Sequence, residues 1–231
     1  MDTETQNTPV GLAEKTTRRI PLRGLSRLGV YARGKEILIL GPGRAGKTKF
    51  TQYLQLGVLD AEGQRDMTYG VTKSPAFVVS IGGRQGLTFE VRRAVDTPGQ
   101  VGPARHASLV GQREPHALII VLDCSSAISS TIRWLRLFCS SLDTILRRGS
   151  YVVRRLKAIV VVLNKRDKIG GTESAELREA VTEVLHQHLS VVLGVERVSS
   201  IPILECISVQ TEQGAALIDE VISQLAERWR R

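Results

Sequence analysis

The chain has few aromatic residues, few cysteines and no long apolar segment. Aromatic side chains make up 4% of the 231 residues, so a core drawn from the 42% hydrophobic residues must be mainly aliphatic. The three cysteines form no CxxC pair, which argues against a disulfide framework and indicates reduced thiols in a cytoplasmic protein. Because the longest apolar stretches, such as Ala117–Leu122, have the length of strands, we expect no membrane-spanning helix. The first residues lack an apolar segment, and we expect no secretory signal.

Basic residues outnumber acidic residues and are unevenly distributed. The formal net charge is +9, and residues 1–35 contain seven lysines and arginines against three acidic residues. Prolines and glycines interrupt this polar region, so we assign residues 1–34 to a flexible basic arm and residues 35–231 to one domain. Apolar residues alternate with arginines near its end, which makes residues 15–35 a candidate for peripheral contact with an anionic membrane. A solvated surface is the alternative, and we expect no nucleic-acid partner.

From residue 35 onward, short apolar segments alternate with helical patterns. This alternation predicts a three-layer α/β fold, in which a mostly parallel sheet of six strands lies between helices on both faces. A glycine-rich break between the second and third segments predicts a hairpin and therefore one antiparallel edge strand. The predicted strands are Glu36–Leu40, Ala76–Ile81, Leu87–Ala94, His116–Leu122, Ala158–Leu163 and Ile203–Ile207, and the predicted helices are Lys47–Leu56, Ser129–Arg147, Glu173–Leu193 and Glu212–Arg228.

Residues 41–48, which we call the P-loop, fit the pattern G-x-x-x-x-G-K-[ST] between a predicted strand and a predicted helix. The glycines permit close approach of the backbone, and successive N–H groups then surround phosphate oxygens. We expect Lys47 to neutralise the β- and γ-phosphates and Thr48 to place its hydroxyl on Mg²⁺. An ordinary glycine-rich turn is the alternative. The predicted phosphate-binding residues are Gly41, Gly43, Arg44, Ala45, Gly46, Lys47, Thr48 and Lys49.

Residues 164–167, Asn164-Lys165-Arg166-Asp167, which we call the base loop, follow the apolar segment at 158–163. They are therefore expected at the carboxyl end of a parallel strand, where α/β sheets bind ligands. The Asp167 carboxylate can accept hydrogen bonds from N1–H and the exocyclic amine of guanine, a donor pair that adenine lacks. The stem of Lys165 can lie over the purine ring, and Asn164 can brace the loop. The alternative is an ordinary turn with solvated charges.

Together with a third segment, these motifs resemble those of small GTPases of the Ras and Arf superfamily over about residues 36–228. Asp96-Thr97-Pro98-Gly99-Gln100 is similar to the D-x-x-G-Q segment of that superfamily. The resemblance implies the P-loop GTPase fold. It also implies that Asp96 contacts Mg²⁺, that the Gly99 N–H binds the γ-phosphate and that Gln100 orients the attacking water.

Two further loops carry weaker resemblances. Ser208, Val209 and Gln210 begin a segment that resembles S-A-K-T-x-Q-G, which implies contacts with guanine; the change of Ala-Lys to Val-Gln implies a lower nucleotide affinity. Thr68 resembles the first-switch threonine of Arf proteins, which implies contacts with Mg²⁺ and the γ-phosphate, and Thr72 is the competing candidate. Arg65 has a spacing to Thr68 that resembles the arginine supplied in cis by heterotrimeric G-protein α-subunits. A solvated loop charge is the alternative.

The resemblance implies a molecular switch that binds GTP or GDP with Mg²⁺ and hydrolyses GTP slowly on its own, with Gln100, Lys47 and Arg65 as the catalytic residues. Its partners would be an effector protein and a GTPase-activating protein or an exchange factor. The alternative is a subunit that holds GTP with little or no hydrolysis and docks a partner to a membrane or a complex. An ATPase is disfavoured by Asn164 and Asp167.

Overall fold

The computed structural model describes residues 17–20, 34–56, 71–81, 87–206 and 212–230. Most of the predicted basic arm lies outside these ranges. Five predicted site residues also lie outside the described residues, namely Arg65, Thr68, Ser208, Val209 and Gln210.

Strands and helices alternate along most of the described chain. The strands are β1 (Thr17–Ile20), β2 (Lys35–Leu40), β3 (Thr72–Lys73), β4 (Phe77–Ile81), β5 (Leu87–Asp96), β6 (Ala117–Asp123), β7 (Ala158–Asn164) and β8 (Ile203–Glu205). The helices are α1 (Lys47–Leu56), α2 (Pro103–Arg113), α3 (Ile128–Arg148), α4 (Ser150–Arg155), α5 (Gly171–Leu193), α6 (Val195–Ser199) and α7 (Glu212–Arg230), with a short 3₁₀ turn at Arg166–Lys168.

In the described part of the chain, the strands form one sheet in the order β1-β4-β5-β2-β6-β7-β8, and β3 pairs with β5. The pairs of β2 with β5 and β6, of β6 with β7 and of β7 with β8 are parallel. The pairs of β1 with β4, β4 with β5 and β3 with β5 are antiparallel. The carboxyl ends of β2, β5, β6 and β7 therefore meet at one edge of the sheet, which is where the candidate site lies.

Helices cover both faces of the sheet because the central strands are apolar on both sides. In β2, Leu38 and Leu40 pack against α2, α3 and α5, whereas Ile37 and Ile39 pack against α1 and α7. This alternation of side chains between two buried clusters gives three layers. None of the helices in the described ranges is long and apolar enough to cross a membrane.

The predicted α/β class, the mostly parallel sheet and the antiparallel hairpin are confirmed. The sheet has more strands than the six predicted, because β1 and β3 were not assigned. β1 lies within the predicted arm and pairs with β4, so β4 is an interior strand rather than the predicted edge. Helix α2 was also missed, although Pro103 at its start is a helix-initiation signal.

Candidate guanine-nucleotide site

Four loops meet beyond the carboxyl ends of the parallel strands. The P-loop follows β2, residues 97–100 follow β5, residues 124–127 follow β6 and the base loop begins at the last residue of β7. Hydrogen bonds join these loops across the sheet edge, so residues that are far apart in sequence form one site.

The P-loop adopts backbone conformations that favour glycine. Gly46 has φ +94°, and a Cβ built on it would lie 2.4 Å from Asn164 Nδ2, so a side chain there would be strained and would displace the base loop. Asn164 Nδ2 donates to the Ala45 carbonyl at 2.8 Å. The two loops are thereby tied together, with Gly43 and Arg44 exposed at the mouth of the site.

Lys47 is a buried cation. It is the first residue of α1, and only 5% of its surface is exposed. Its Nζ donates a hydrogen bond to the Pro42 carbonyl at 2.7 Å. Burial lowers the pKa of Lys47 to about 8, although the nearby Asp96 carboxylate opposes that shift. A bound anion would raise the pKa of Lys47 again, because its negative charge would replace the favourable hydration that the ammonium loses on burial.

Thr48 and Asp96 bring two oxygen ligands together. Thr48 Oγ1 donates to Asp96 Oδ2 at 2.7 Å, and Asp96 is 1% exposed at the end of β5. No group of three or more His, Cys, Asp or Glu side chains that could hold a metal occurs among the described residues. A hydroxyl and one carboxylate fit Mg²⁺, which commonly takes one or two protein oxygens and completes its shell with water and phosphate.

The base loop is rigidly placed. Lys165 has a left-handed φ of +62°, and its Nζ donates to Asp123 Oδ2 at 2.6 Å. The Arg166 backbone N–H donates to the Cys206 carbonyl at 2.8 Å, and its Nε donates to Glu205 Oε2 at 3.1 Å. Asp167 lies in the 3₁₀ turn with a side chain that is 31% exposed, so its carboxylate is accessible.

Asp123 and Ser125 belong to the site but were not predicted. Asp123 is the last residue of β6, and its Oδ1 accepts hydrogen bonds from the backbone N–H and hydroxyl of Ser125 at 2.8 and 2.6 Å. Because its other oxygen holds Lys165, Asp123 fixes the lysine stem predicted to cover the base. The signal was present in the sequence, since an acidic residue directly follows the apolar segment at 117–122.

The loop after β5 packs closely on the P-loop. A Cβ built on Gly99 would lie 2.4 Å from Gly43 Cα and 2.7 Å from Lys47 Nζ, so only glycine fits without displacing one of the two loops. Thr97 beneath them is fully buried and donates to the Ile39 carbonyl at 3.0 Å. Gln100 is exposed next to this contact.

Three predicted residues, Lys49, Gly41 and Thr72, remain to be located. Lys49 is half-buried in the first turn of α1, and Gly41 is buried at the end of β2. Thr72, the competing switch threonine, is exposed in β3, where it is paired with Asp96 of β5. The structure therefore brings to one edge of the sheet the predicted residues Gly41, Gly43, Arg44, Ala45, Gly46, Lys47, Thr48, Asp96, Gly99, Gln100, Asn164, Lys165 and Asp167.

The chain matches no protein-family model and no curated protein. Among solved structures, it is similar to the bacterial selenocysteine-specific elongation factor EF-Sec, with a TM-score of 0.51 and 20% identity. It is also similar to the translation elongation factor SelB from Methanococcus maripaludis in complex with the GTP analogue GppNHp, with a TM-score of 0.50 and 17% identity. Each alignment covers 84% of this chain but only 29% and 34% of those chains, respectively. This chain therefore has the mixed α/β, P-loop GTPase-type fold that forms about a third of these elongation factors.

Proposed function

We propose that this protein binds GTP and GDP with Mg²⁺ and hydrolyses GTP as a small molecular switch. The observation that carries the proposal is the joining of the P-loop to the base loop: the Asn164 amide holds the Ala45 carbonyl while Lys47 is buried beside them. This arrangement brings the glycine-rich P-loop, the buried Lys47 and the exposed Asp167 carboxylate to one edge of the sheet, which supports binding of a phosphate and a guanine there. The SelB structure named above contains a GTP analogue, which also supports the proposal.

The chain's own residues would share the binding of the nucleotide. The P-loop N–H groups and the Lys47 ammonium would neutralise the phosphates, since a buried cation gains most from an anion. Thr48 and Asp96 would hold Mg²⁺, which supplies charge neutralisation between the phosphates when it is bound. The Asp167 carboxylate would accept hydrogen bonds from N1–H and the exocyclic amine of guanine. The stem of Lys165, whose ammonium is held by Asp123, would cover the purine ring.

Hydrolysis would depend on positioning. Gln100 would orient the attacking water, and the Gly99 N–H would bind the γ-phosphate; both follow β5 directly. Arg65 would stabilise charge in the transition state. Loss of the γ-phosphate would release the contact of Gly99 and thereby report which nucleotide is bound.

Guanine selectivity is tested by Asp167→Asn. Xanthine carries a carbonyl where guanine has its exocyclic amine, so an asparagine amide can donate to xanthine but not to that amine. We expect GDP affinity to fall by about 100-fold and xanthosine diphosphate affinity to rise. Glu183→Gln removes an exposed charge on α5 and should change neither the GDP affinity nor the xanthosine diphosphate affinity. Unchanged GDP affinity in Asp167→Asn would reject the proposed guanine site.

The second candidate function is a subunit that holds GTP without turnover and docks a partner. Two features of the sequence leave room for this function. Val209-Gln210 replaces the Ala-Lys of the resembling segment, and apolar residues alternate with arginines in the basic arm. Multiple-turnover phosphate release from the full chain separates the two functions: sustained release that is lost in Gln100→Ala supports the switch. Retention of unhydrolysed GTP over hours supports the scaffold.

A single-turnover rate of GTP hydrolysis that is equal in wild type and Arg65→Ala would reject the role of that arginine.

A further inference from the structure

His106 is a fully buried histidine that contacts the loop after β5. It lies in α2, it is 0% exposed, and its Nε2 is 3.1 Å from the Pro98 carbonyl oxygen. A carbonyl oxygen only accepts, so Nε2 must carry the proton in this contact. Burial, followed by the charge of Lys47, lowers the pKa of His106 to about 4, so the ring is neutral at physiological pH and has one N–H to donate.

That carbonyl belongs to the same peptide unit as the Gly99 N–H. The described residues contain no cis peptide bond, and in a planar trans peptide the C=O and the N–H point in opposite directions. A hydrogen bond that holds the Pro98 C=O toward α2 therefore turns the Gly99 N–H away from α2. A Cβ built on Gly99 would lie 2.4 Å from Gly43 Cα and 2.7 Å from Lys47 Nζ, so this residue is in close contact with the P-loop.

We propose that His106 is a positioning residue that fixes the 98–99 peptide, so that the Gly99 N–H is held in the orientation that reads the γ-phosphate. This role rests on the proposed nucleotide site. His106 does not touch the nucleotide; it acts through the peptide that does. Without it the Pro98 carbonyl still accepts from the Val101 N–H at 3.4 Å, but this longer contact restrains the peptide plane less, and the Gly99 N–H loses part of its preorganised direction.

The ring of His106 is itself held in place by helix α3. Trp134 meets it edge to face, with centroids 5.5 Å apart and planes at 62°. Phe138 then stacks on Trp134 at 5.4 Å with planes at 10°. This aromatic series restrains rotation of the imidazole, so its contact with the Pro98 carbonyl at 3.1 Å keeps a fixed direction beside the longer turn contact from the Val101 N–H at 3.4 Å.

The test compares GppNHp and GDP affinities, because only GppNHp has the γ-phosphate group. In full-length protein with Mg²⁺, His106→Leu removes the donor and should weaken GppNHp binding about tenfold relative to GDP binding. His106→Gln places an amide N–H near the position of Nε2 and should keep the wild-type ratio within about threefold. His106→Asn has the same amide on a shorter side chain, does not reach Pro98 and should behave like His106→Leu.

His116 supplies the matched control. It is also a histidine with a lowered pKa, but it lies at the opposite end of the sheet, so His116→Leu should leave the ratio unchanged. If His106→Leu does not fold, the Gln and Asn variants decide the question. An unchanged ratio in His106→Asn, or equal weakening of GDP and GppNHp in every His106 variant, would overturn the positioning role. A wild type that binds neither nucleotide would instead reject the proposed function, and with it the role that rests on it.

Discussion

The two ends of the sheet handle buried charge differently. At the amino end, Glu36 is 2% exposed, and its carboxylate is neutralised by Arg92 at 2.7 Å. At the carboxyl end, Lys47 is buried to a similar degree, but its ammonium donates to a neutral backbone carbonyl. The Glu36 carboxylate has a charged partner within the fold, whereas a buried cation that donates to a neutral acceptor gains from an external anion. Under the proposed function, the difference separates charge that maintains the fold from charge that would bind a ligand.

The two histidines repeat this contrast. Burial lowers the pKa of both His106 and His116 to about 4, with contributions from Lys47 at the first and from Arg155, Lys35 and Arg92 at the second. Both are therefore neutral at pH 7. His116 Nδ1 accepts from the Glu36 backbone N–H at 3.0 Å and completes the bonding at the start of β2. His106 contacts a loop of the candidate site instead.

The largest expected effect is that of Lys47→Ala. The variant removes the cation that would compensate the phosphates, and GDP affinity should fall by at least about 100-fold. Lys157→Ala, which removes an exposed lysine at the amino end of β7, should leave the affinity within about twofold. Isothermal titration calorimetry with GDP in the presence of Mg²⁺ measures the affinity of both variants. Comparable losses of GDP affinity would mean that overall charge, not this site, attracts the nucleotide.

A smaller effect, of the opposite kind, is expected at the amino end. Arg92→Ala leaves the buried Glu36 carboxylate without its partner and should lower the free energy of unfolding by about 2 kcal/mol. Because the pair is remote from the loops at the carboxyl end, GDP affinity should not change. Urea unfolding and nucleotide titration of the same preparation measure the two quantities, and a loss of affinity at unchanged stability would contradict the proposed division.

The smallest expected effect is a pH dependence that arises from Lys47. Its pKa in the unliganded protein is lowered to about 8, and phosphate favours the charged form, so binding above pH 8 must take up a proton. GDP affinity should therefore fall by about tenfold between pH 7 and pH 9. Because the pKa of Lys47 returns toward 10.5 in the unfolded chain, burial of this lysine should destabilise the unliganded protein less as the pH rises from 8 to 10.5, and the free energy of unfolding should increase over that range.

Lys47→Arg is the control for this pH dependence, since a guanidinium stays charged over that range. The variant should lose the part of the pH dependence that belongs to Lys47 and keep any part that belongs to the guanine ring. Parallel pH profiles in wild type and Lys47→Arg would show that the buried lysine does not titrate there.

The sequence predicted the elements that carry strong local signals. The bounds of α1 agree with the prediction, and the apolar strands agree to within one or two residues wherever the structure describes them. The P-loop and the base loop were predicted from residue type and spacing and Asp96 from the family resemblance, and the structure brings all three to one edge of the sheet. Strand β1 was missed because four residues between glycines and prolines have no periodicity; their pairing with β4 is a long-range event.

Contacts between distant residues were not predictable in the same way. Asp123 and Lys165 are 42 positions apart, and only the parallel pairing of β6 with β7 brings their side chains to 2.6 Å. The role proposed for His106 was missed for a related reason: no cysteine or acidic residue lies at metal-ligand spacing from it in the sequence, and its contacts with Pro98 and Trp134 exist only after α2 and α3 pack together. The residues proposed to bind the nucleotide were therefore easier to predict from the sequence than the residues proposed to position them.

The most direct test of a guanine-nucleotide site at the carboxyl end of the sheet is calorimetric titration of the full chain with GDP and with ADP in the presence of Mg²⁺. The arrangement of Asp167, Lys47 and the P-loop predicts saturable binding of GDP and at least about 100-fold weaker binding of ADP, because adenine lacks the donor pair that the carboxylate accepts. Equal affinity for the two nucleotides, or no binding of GDP, would contradict it.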